Sequence, residues 1–293
     1  MRPLALLIPL ACACGPSAAR TGGVPADRPA LLRVVSWNVH DLFDEMADPG
    51  TIDPAFTSGE VEARLDAVGA VLERLDADVV LLQEVEHLAL LRRLAARSGH
   101  GEAWLLEGND PRGIDVGLLS RWPVVRYRGH AGELDAQGRR FWPRDAVEAV
   151  ILAGGTPLVL LGTHLSSRLS DPDGVRRRLQ ATRLRQLADE AAAADPGALV
   201  LVGGDLNDEV GAPALQPLFG DGRWVDGAVG QPGGAAVAAT DWTWSDGRLH
   251  EVLDHLALRS GQGEALVAGW VASGPDVAAA SDHRPVVLDL GGW

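Results

Sequence analysis

The chain has 293 residues, 46% of them hydrophobic, enough for one sizeable buried core and too much for a disordered tail. Its formal charge is -14, and all 26 cationic residues are arginines. So acidic a protein is a poor non-specific binder of nucleic acid, an affinity that comes chiefly from cationic contacts to phosphate; clustered carboxylates nevertheless suit a hard cation, which reverses the local field.

Met1 and Arg2, followed by an apolar run from Leu4 to Ala13, read as an export signal over residues 1–19, with 20–30 as a linker and one domain over 31–293. The run is too short to span a membrane, and Pro3 and Pro9 argue against a buried helix. Both cysteines, Cys12 and Cys14, close this segment, so no disulfide can hold the domain together. Leu10-Ala11-Cys12 and Ala13-Cys14 loosely resemble the lipobox of bacterial lipoproteins. A membrane tether through either cysteine therefore stands beside periplasmic release or secretion as an expectation, and a monomer is expected.

From Leu31 onward, strands are predicted over Leu31 to Val39 and Asp78 to Val85, then near Val116, Val124, Val147, Leu158, Leu199, Val252, Val267 and Val286, roughly ten in all. Between the first two, Thr57 and Glu60 form a capping box, and Val61, Leu65, Val68, Leu72 and Leu75 repeat at helical spacing. A second helix is predicted to start near Asp171-Pro172, with Asp171 as N-cap, presenting Leu184, Leu187, Ala188 and Ala191 on one face. Many strands with few helices imply two sheets packed face to face with helices outside.

Polar residues at the ends of apolar strands carry the functional signal, because burying them there is costly unless something charged awaits them. Ser36-Trp37-Asn38, Gln83-Glu84, Thr163-His164 and Gly204-Asp205-Leu206-Asn207 each follow such a strand. Leu253-Asp254-His255 lies within an apolar run, and Ser281-Asp282-His283 precedes one. Singly, each has an ordinary structural explanation: a solvated turn, an Asx turn, a hydrogen-bonded core histidine. Six together fit hydrolysis of a phosphate ester. Asn38, Glu84 and Asp282 could supply oxygens to a hard cation, Mg2+ or else Mn2+ or Ca2+. His283 is a candidate base oriented by Asp254, Asp205 and Asn207 could grip the attacking water or a phosphoryl oxygen, and His164 could donate to the phosphate.

The ordered set Ser36-Trp37-Asn38-Val39, Leu82-Gln83-Glu84, Gly162-Thr163-His164, Gly204-Asp205-Leu206-Asn207 and Ser281-Asp282-His283-Arg284-Pro285 resembles the DNase I-like endonuclease/exonuclease/phosphatase superfamily, over about Leu31 to Leu290. The resemblance implies an α+β fold, a four-layer αββα sandwich of two mixed sheets with the site at one edge. It implies Glu84 as principal metal ligand, Asn38 and Asp282 completing or adjoining the metal site, Asp205 and Asn207 positioning nucleophile and phosphate, His164 contacting the phosphate, and His283 with Asp254 as the acid-base pair. Arg144, in Trp142-Pro143-Arg144-Asp145, is similar to a phosphate-binding arginine, and Arg112 and Asp115 to a loop facing His164.

Members cleave DNA, RNA, sphingomyelin or phosphoinositides. His164-Leu165-Ser166-Ser167-Arg168 looks like a bacterial extracellular-nuclease branch, with Arg168 where Lys is common. Arg139, Arg140, Arg144 and Arg168 could form a basic strip, and Trp37, Trp142, Trp242 and Trp244 could stack on bases, though buried tryptophans are common and the run from Arg176 is most simply a solvated helix face. A nuclease acting on DNA or RNA is thus favoured over a phospholipid or sphingomyelin phosphodiesterase or phosphatase, and over an inactive binding module on the same scaffold.

Overall fold

In the computed structural model, which describes residues 31–228 and 242–292, the chain enters through a long strand, β1 (Leu32–Leu42), and alternates strands with helices thereafter. The export signal, the linker, Cys12 and Cys14 lie outside the described residues. After β1 come α1 (Ser58–Leu75), β2 (Val79–Val85), α2 (Leu88–Ser98), β3 (Glu102–Leu105), β4 (Asp115–Ser120), β5 (Val124–Gly129), β6 (Ala146–Ala153) and β7 (Thr156–His164). Then follow α3 (Val175–Ala194), β8 (Leu199–Asp205), α4 (Gln216–Phe219), β9 (Trp224–Asp226), β10 (Trp244–Ser245), β11 (His250–Glu251), β12 (Asp254–Arg259), β13 (Leu266–Val271), α5 (Pro275–Ala280) and β14 (Val286–Leu290).

Two six-stranded mixed sheets result, ordered β13-β14-β1-β2-β4-β3 and β5-β6-β7-β8-β12-β9. Alternation along the strands sorts their side chains into layers. On β1, Val34 joins Leu81, Leu160, Leu201, Leu256 and Leu288 in the core between the sheets. Val35, Trp37 and Val39 face the other way, against Leu65, Val68 and Leu72 of α1 and Leu91 and Leu94 of α2. The second sheet is backed by Leu184, Leu187 and Ala188 of α3. With both faces covered, the central strands read as unbroken apolar runs, and the fold is the four-layer sandwich expected.

Helix α1 has the capping box predicted, Thr57 accepting from the Glu60 N–H and Glu60 from the Thr57 N–H, and all five of its spaced apolar residues are buried. Two helix expectations need correction. Helix α3 starts at Val175, with Gly174 at its N-cap in the left-handed region (φ 69°). Asp171 caps it from farther out, its carboxylate accepting from the N–H groups of Arg176 (3.1 Å) and Arg177 (2.8 Å). Helix α2 was not anticipated; it follows β2 after only Glu86 and His87. The unforeseen strands β3, β9, β10 and β11 span four residues at most, too few to show a period.

Two positions give stability predictions. Gly204, the penultimate residue of β8, has φ +129°, and a Cβ there would collide with the Thr163 carbonyl oxygen on β7. Gly204→Ala is expected to lower unfolding free energy by about 3 kcal/mol or more in urea titration.

His100 is buried, with Nε2 3.1 Å from the Ala77 carbonyl oxygen. Burial, reinforced by the charge of Arg121, pushes its pKa down to about 4 from 6.5. As pH falls through 6.5 the unfolded chain gains a proton that the native state refuses until near 4, so stability is lost across that window. Between pH 7 and pH 5 this group should remove about 2 kcal/mol, a loss absent from His100→Gln in paired denaturant titrations.

Candidate active site

Strand direction decides where the polar residues gather. In each sheet the central pair is parallel, β1 with β2 and β7 with β8, so Asn38, Glu84, His164 and Asp205 all emerge at carboxyl ends on one edge. β12 and β14 run antiparallel to β8 and β1, so their entries lie at that same edge, with Asp254 opposite Asp205 and Asp282-His283 just ahead of β14. There a cavity of about 960 Å³ opens, lined among others by Glu84, His164, Asp205, Asn207, Asp282 and His283.

Asn38 ties the two sheets together: its Nδ2 donates to Glu84 Oε1 (3.1 Å) and Asp205 Oδ2 (3.0 Å), while its Oδ1 accepts from the His40 N–H. Glu84 Oε2 accepts from the Asp41 N–H (2.9 Å). Asp205 Oδ1 accepts from the Asn207 N–H, and Asn207 Nδ2 donates to the Leu165 carbonyl. Asp254, fully buried, accepts from His283 Nδ1 (2.8 Å), leaving Nε2 3.9 Å from Asp205 Oδ2. His164 Nε2 lies 3.3 Å from that same oxygen, and its buried Nδ1, 4.0 Å from Glu84 Oε1, has no hydrogen-bond partner among the described residues.

Backbone strain concentrates here. Among the described residues five non-glycines have positive φ, and four of them, His40, Asp41, Glu84 and Asn207, belong to this cluster. Pairing shifts register beside Glu84, between Gln83 and Val85, so a local irregularity turns its carboxylate into the cavity. Each such residue costs on the order of 1–3 kcal/mol and persists only where its surroundings fix it.

The site's charges are uneven. Burial disfavours ionisation of Glu84, but the proximity of His164, hydrogen bonds from Asp41 and Asn38 and the nearby Arg112 outweigh it and hold the carboxyl below its usual range. Asp282 is likewise held low against burial, by His40 (Nδ1–Oδ1 2.7 Å), His283 and Trp244. Asp205 is pushed up to about 7 by burial and by the charge of Asp254. For His283, burial opposes protonation, but Asp254 prevails and raises it to about 10. His164 is driven far down by burial and by Arg144, so it is neutral.

Glu84 and Asp282, both held ionised and both lining the cavity, are chemically suited to a hard divalent cation, and Asn38 lies against Glu84.

The remaining sequence candidates divide. Arg112 and Arg144 line the cavity, both anchored by Asp110, with Arg112 also on Asp41 (3.0 Å) and Arg144 on the Leu165 carbonyl. Asp115 does not line it: its carboxylate accepts from the Gly108 N–H (2.7 Å), and burial, then Glu107, pushes it up to about 8. Arg168 reaches the cavity with its charge spent on Asp208 (2.8 Å) and Glu251. The basic strip is therefore smaller than the sequence suggested, since Arg139 pairs with Asp135 as well.

Trp37 and Trp142 are fully buried and cannot stack on a ligand; Trp37 Nε1 instead donates to the His283 carbonyl (3.1 Å). Trp244 does line the cavity, but its Nε1 is committed to Asp282. Trp242 is stacked on His250 and packed against the Arg284 guanidinium. His255, one residue from Asp254, points to the opposite face of β12 and bonds Asp226 (2.6 Å).

Sequence reasoning missed His40, Asp41 and Asp110, and named Trp244 as a stacking surface where the structure has it bonded to Asp282. The first two directly follow the Asn38 motif, and that adjacency was the available signal.

A family model described as "Endonuclease/Exonuclease/phosphatase family" matches residues 35–283. No curated protein matches the sequence significantly. Among solved structures, an endonuclease/exonuclease/phosphatase from Bacteroides vulgatus is 17% identical with TM-score 0.64, covering 89% of this chain and 99% of that one. D. rerio TDP2 complexed with single strand DNA product is 19% identical with TM-score 0.62, at the same coverage. Sphingomyelinase C from Streptomyces griseocarneus, also 19% identical, gives TM-score 0.58, again covering 89% and 99%.

Proposed function

Since the chain belongs to the endonuclease/exonuclease/phosphatase family, we propose that it is a divalent-metal-dependent phosphodiester hydrolase, with nucleic acid as the favoured substrate. The observation that carries this reading is the convergence of Asn38, Glu84, His164, Asp205, Asp282 and His283 at one sheet edge, with Asn38 bridging Glu84 and Asp205.

Glu84, with Asn38 and Asp282, would hold Mg2+ or a similar ion, which when bound supplies Lewis-acid stabilisation of charge on the phosphoryl oxygens. Asp205, near 7, exchanges a proton at neutral pH and takes one from the attacking water, which Asn207 helps to position. His283, kept protonated by Asp254, donates toward the phosphate from Nε2. From sequence, His283 with Asp254 is the acid-base pair, His283 the candidate base, and Asp205 grips the water; the carboxylate of Asp254 behind His283 favours the acid's part for it here. Neutral His164, in the tautomer with its proton on the unpartnered Nδ1, donates to a phosphoryl oxygen, and Arg112 and Arg144 lend positive field.

A lipid phosphodiester is the second reading, favoured by two apolar side chains at the cavity, Ile52 and Leu169, that are 72% and 97% exposed. Protein stripped with chelator and then supplied with Mg2+ or Mn2+ should cleave plasmid DNA or RNA and bis-p-nitrophenyl phosphate only with the ion present. Cleavage of sphingomyelin alone would reverse the substrate order, and inertness toward all of these would remove the reading.

Export, with lipid on Cys12 or Cys14, belongs to the same proposal and rests on the apolar run Leu4 to Ala13. Detergent phase partitioning of the mature protein tests the anchor, which predicts recovery in the detergent phase.

A further inference from the structure

Three consecutive arginines, Arg176, Arg177 and Arg178, occupy the first turn of α3, where the helix dipole is positive and cations are disfavoured. One is explained by its surroundings: Arg177 is buried and bonds Asp208 (3.2 Å) and the carbonyls of Ser166 and Asp171. Arg176 is not. It is exposed, lines the active-site cavity, and has no carboxylate partner among the described residues, since Asp171 engages its backbone N–H.

Arg140 shares these properties, being exposed, cavity-lining and unpaired among the described residues. Every other cavity arginine has a carboxylate partner: Arg112 has Asp41 and Asp110, Arg144 has Asp110, and Arg168 has Asp208 and Glu251. The fold also ties together the two segments that carry these cations. Gln180, one helical turn beyond Arg176 and buried, donates from Nε2 to the carbonyl of Phe141, the neighbour of Arg140 (3.2 Å). Arg183, farther along α3, grips Glu133 at the base of the same hairpin (2.9 Å). Two unpaired arginines lining one cavity, one of them at a positive helix end, in an otherwise acidic protein, want an anion with more than one charge to place.

We propose that Arg140 and Arg176 form a second phosphate site, which holds a neighbouring phosphate of a nucleic-acid strand whose scissile phosphate lies at Glu84 and His283. This rests on the phosphodiesterase reading above and gives it a substrate class: a polyanion with phosphates in series, rather than a headgroup with one. Arginine suits the task because its planar fork meets two phosphate oxygens at once.

The test compares a single-stranded oligonucleotide with bis-p-nitrophenyl phosphate, which has one phosphate, in wild type and in the Arg140→Gln/Arg176→Gln double variant with Mg2+ or Mn2+. The oligonucleotide-to-small-diester ratio of kcat/KM should fall about 10-fold or more in the variant, and the slope of log kcat/KM against log salt for the oligonucleotide should shrink by about 1.4. Arg140→Lys/Arg176→Lys should recover most of the salt slope. An unchanged ratio, an equal loss on both substrates, or a wild-type preference for sphingomyelin vesicles that the variant keeps would each overturn the second site. A wild type inert toward both substrates would overturn the phosphodiesterase reading itself, and the site with it.

Discussion

Glu84→Gln is expected to lower kcat/KM by about 1000-fold or more on any phosphodiester the protein cleaves, while leaving its fold intact. The glutamine keeps a carbonyl oxygen for the Asp41 N–H, so the backbone at this strained position retains its anchor. What disappears is one of the two carboxylates held ionised at the sheet edge, and with it the principal charge available to a divalent ion. Steady-state kinetics with Mg2+ at several concentrations, beside a thermal melt, separates the outcomes. A loss that high Mg2+ partly restores marks weakened ion binding, and an unchanged rate removes Glu84 from the mechanism.

Asp254→Asn should lower kcat by about 100- to 10,000-fold with a smaller change in KM. Asp254 is fully buried, touches no cavity surface, and acts through the 2.8 Å bond to His283 Nδ1. Losing its charge removes what holds His283 protonated and also relieves Asp205, whose pKa should fall from about 7. The pH profile therefore separates this role from simple misfolding: both limbs of the rate curve should move to lower pH in Asp254→Asn. A uniform drop with an unmoved profile would assign Asp254 a purely structural part.

Much of this was readable in the residues. The Thr57-Glu60 box placed α1, and the six polar strand ends named most of the cavity's chemistry, because a polar group at the end of a buried strand is costly unless it has a partner. What escaped depends on contacts distant in sequence. Arg168 looked like a free cation but is neutralised by Asp208 and Glu251, 40 and 83 residues away. Asp115 sits in the expected loop, yet its side chain turns to the Gly108 N–H instead of the cavity. Trp37 is part of the site as a brace, not a stacking surface: with Ser281 Oγ, which donates to the Asn38 carbonyl, it staples the His283 loop onto β1. The direction of proton transfer was illegible too, since it depends on Asp254 and Asp205 lying opposite each other across β12 and β8.

The account stands on oxygens from β1, β2 and the entry to β14, neighbouring strands of one sheet, meeting around one ion. Anomalous diffraction from crystals grown with Mn2+ tests this most directly. The expected result is a peak bonded to the Glu84 carboxylate, with Asn38 and Asp282 as direct or water-bridged neighbours, lost in Glu84→Gln. A peak elsewhere with Glu84 bare, in crystals of protein that hydrolyses phosphodiesters, would contradict it.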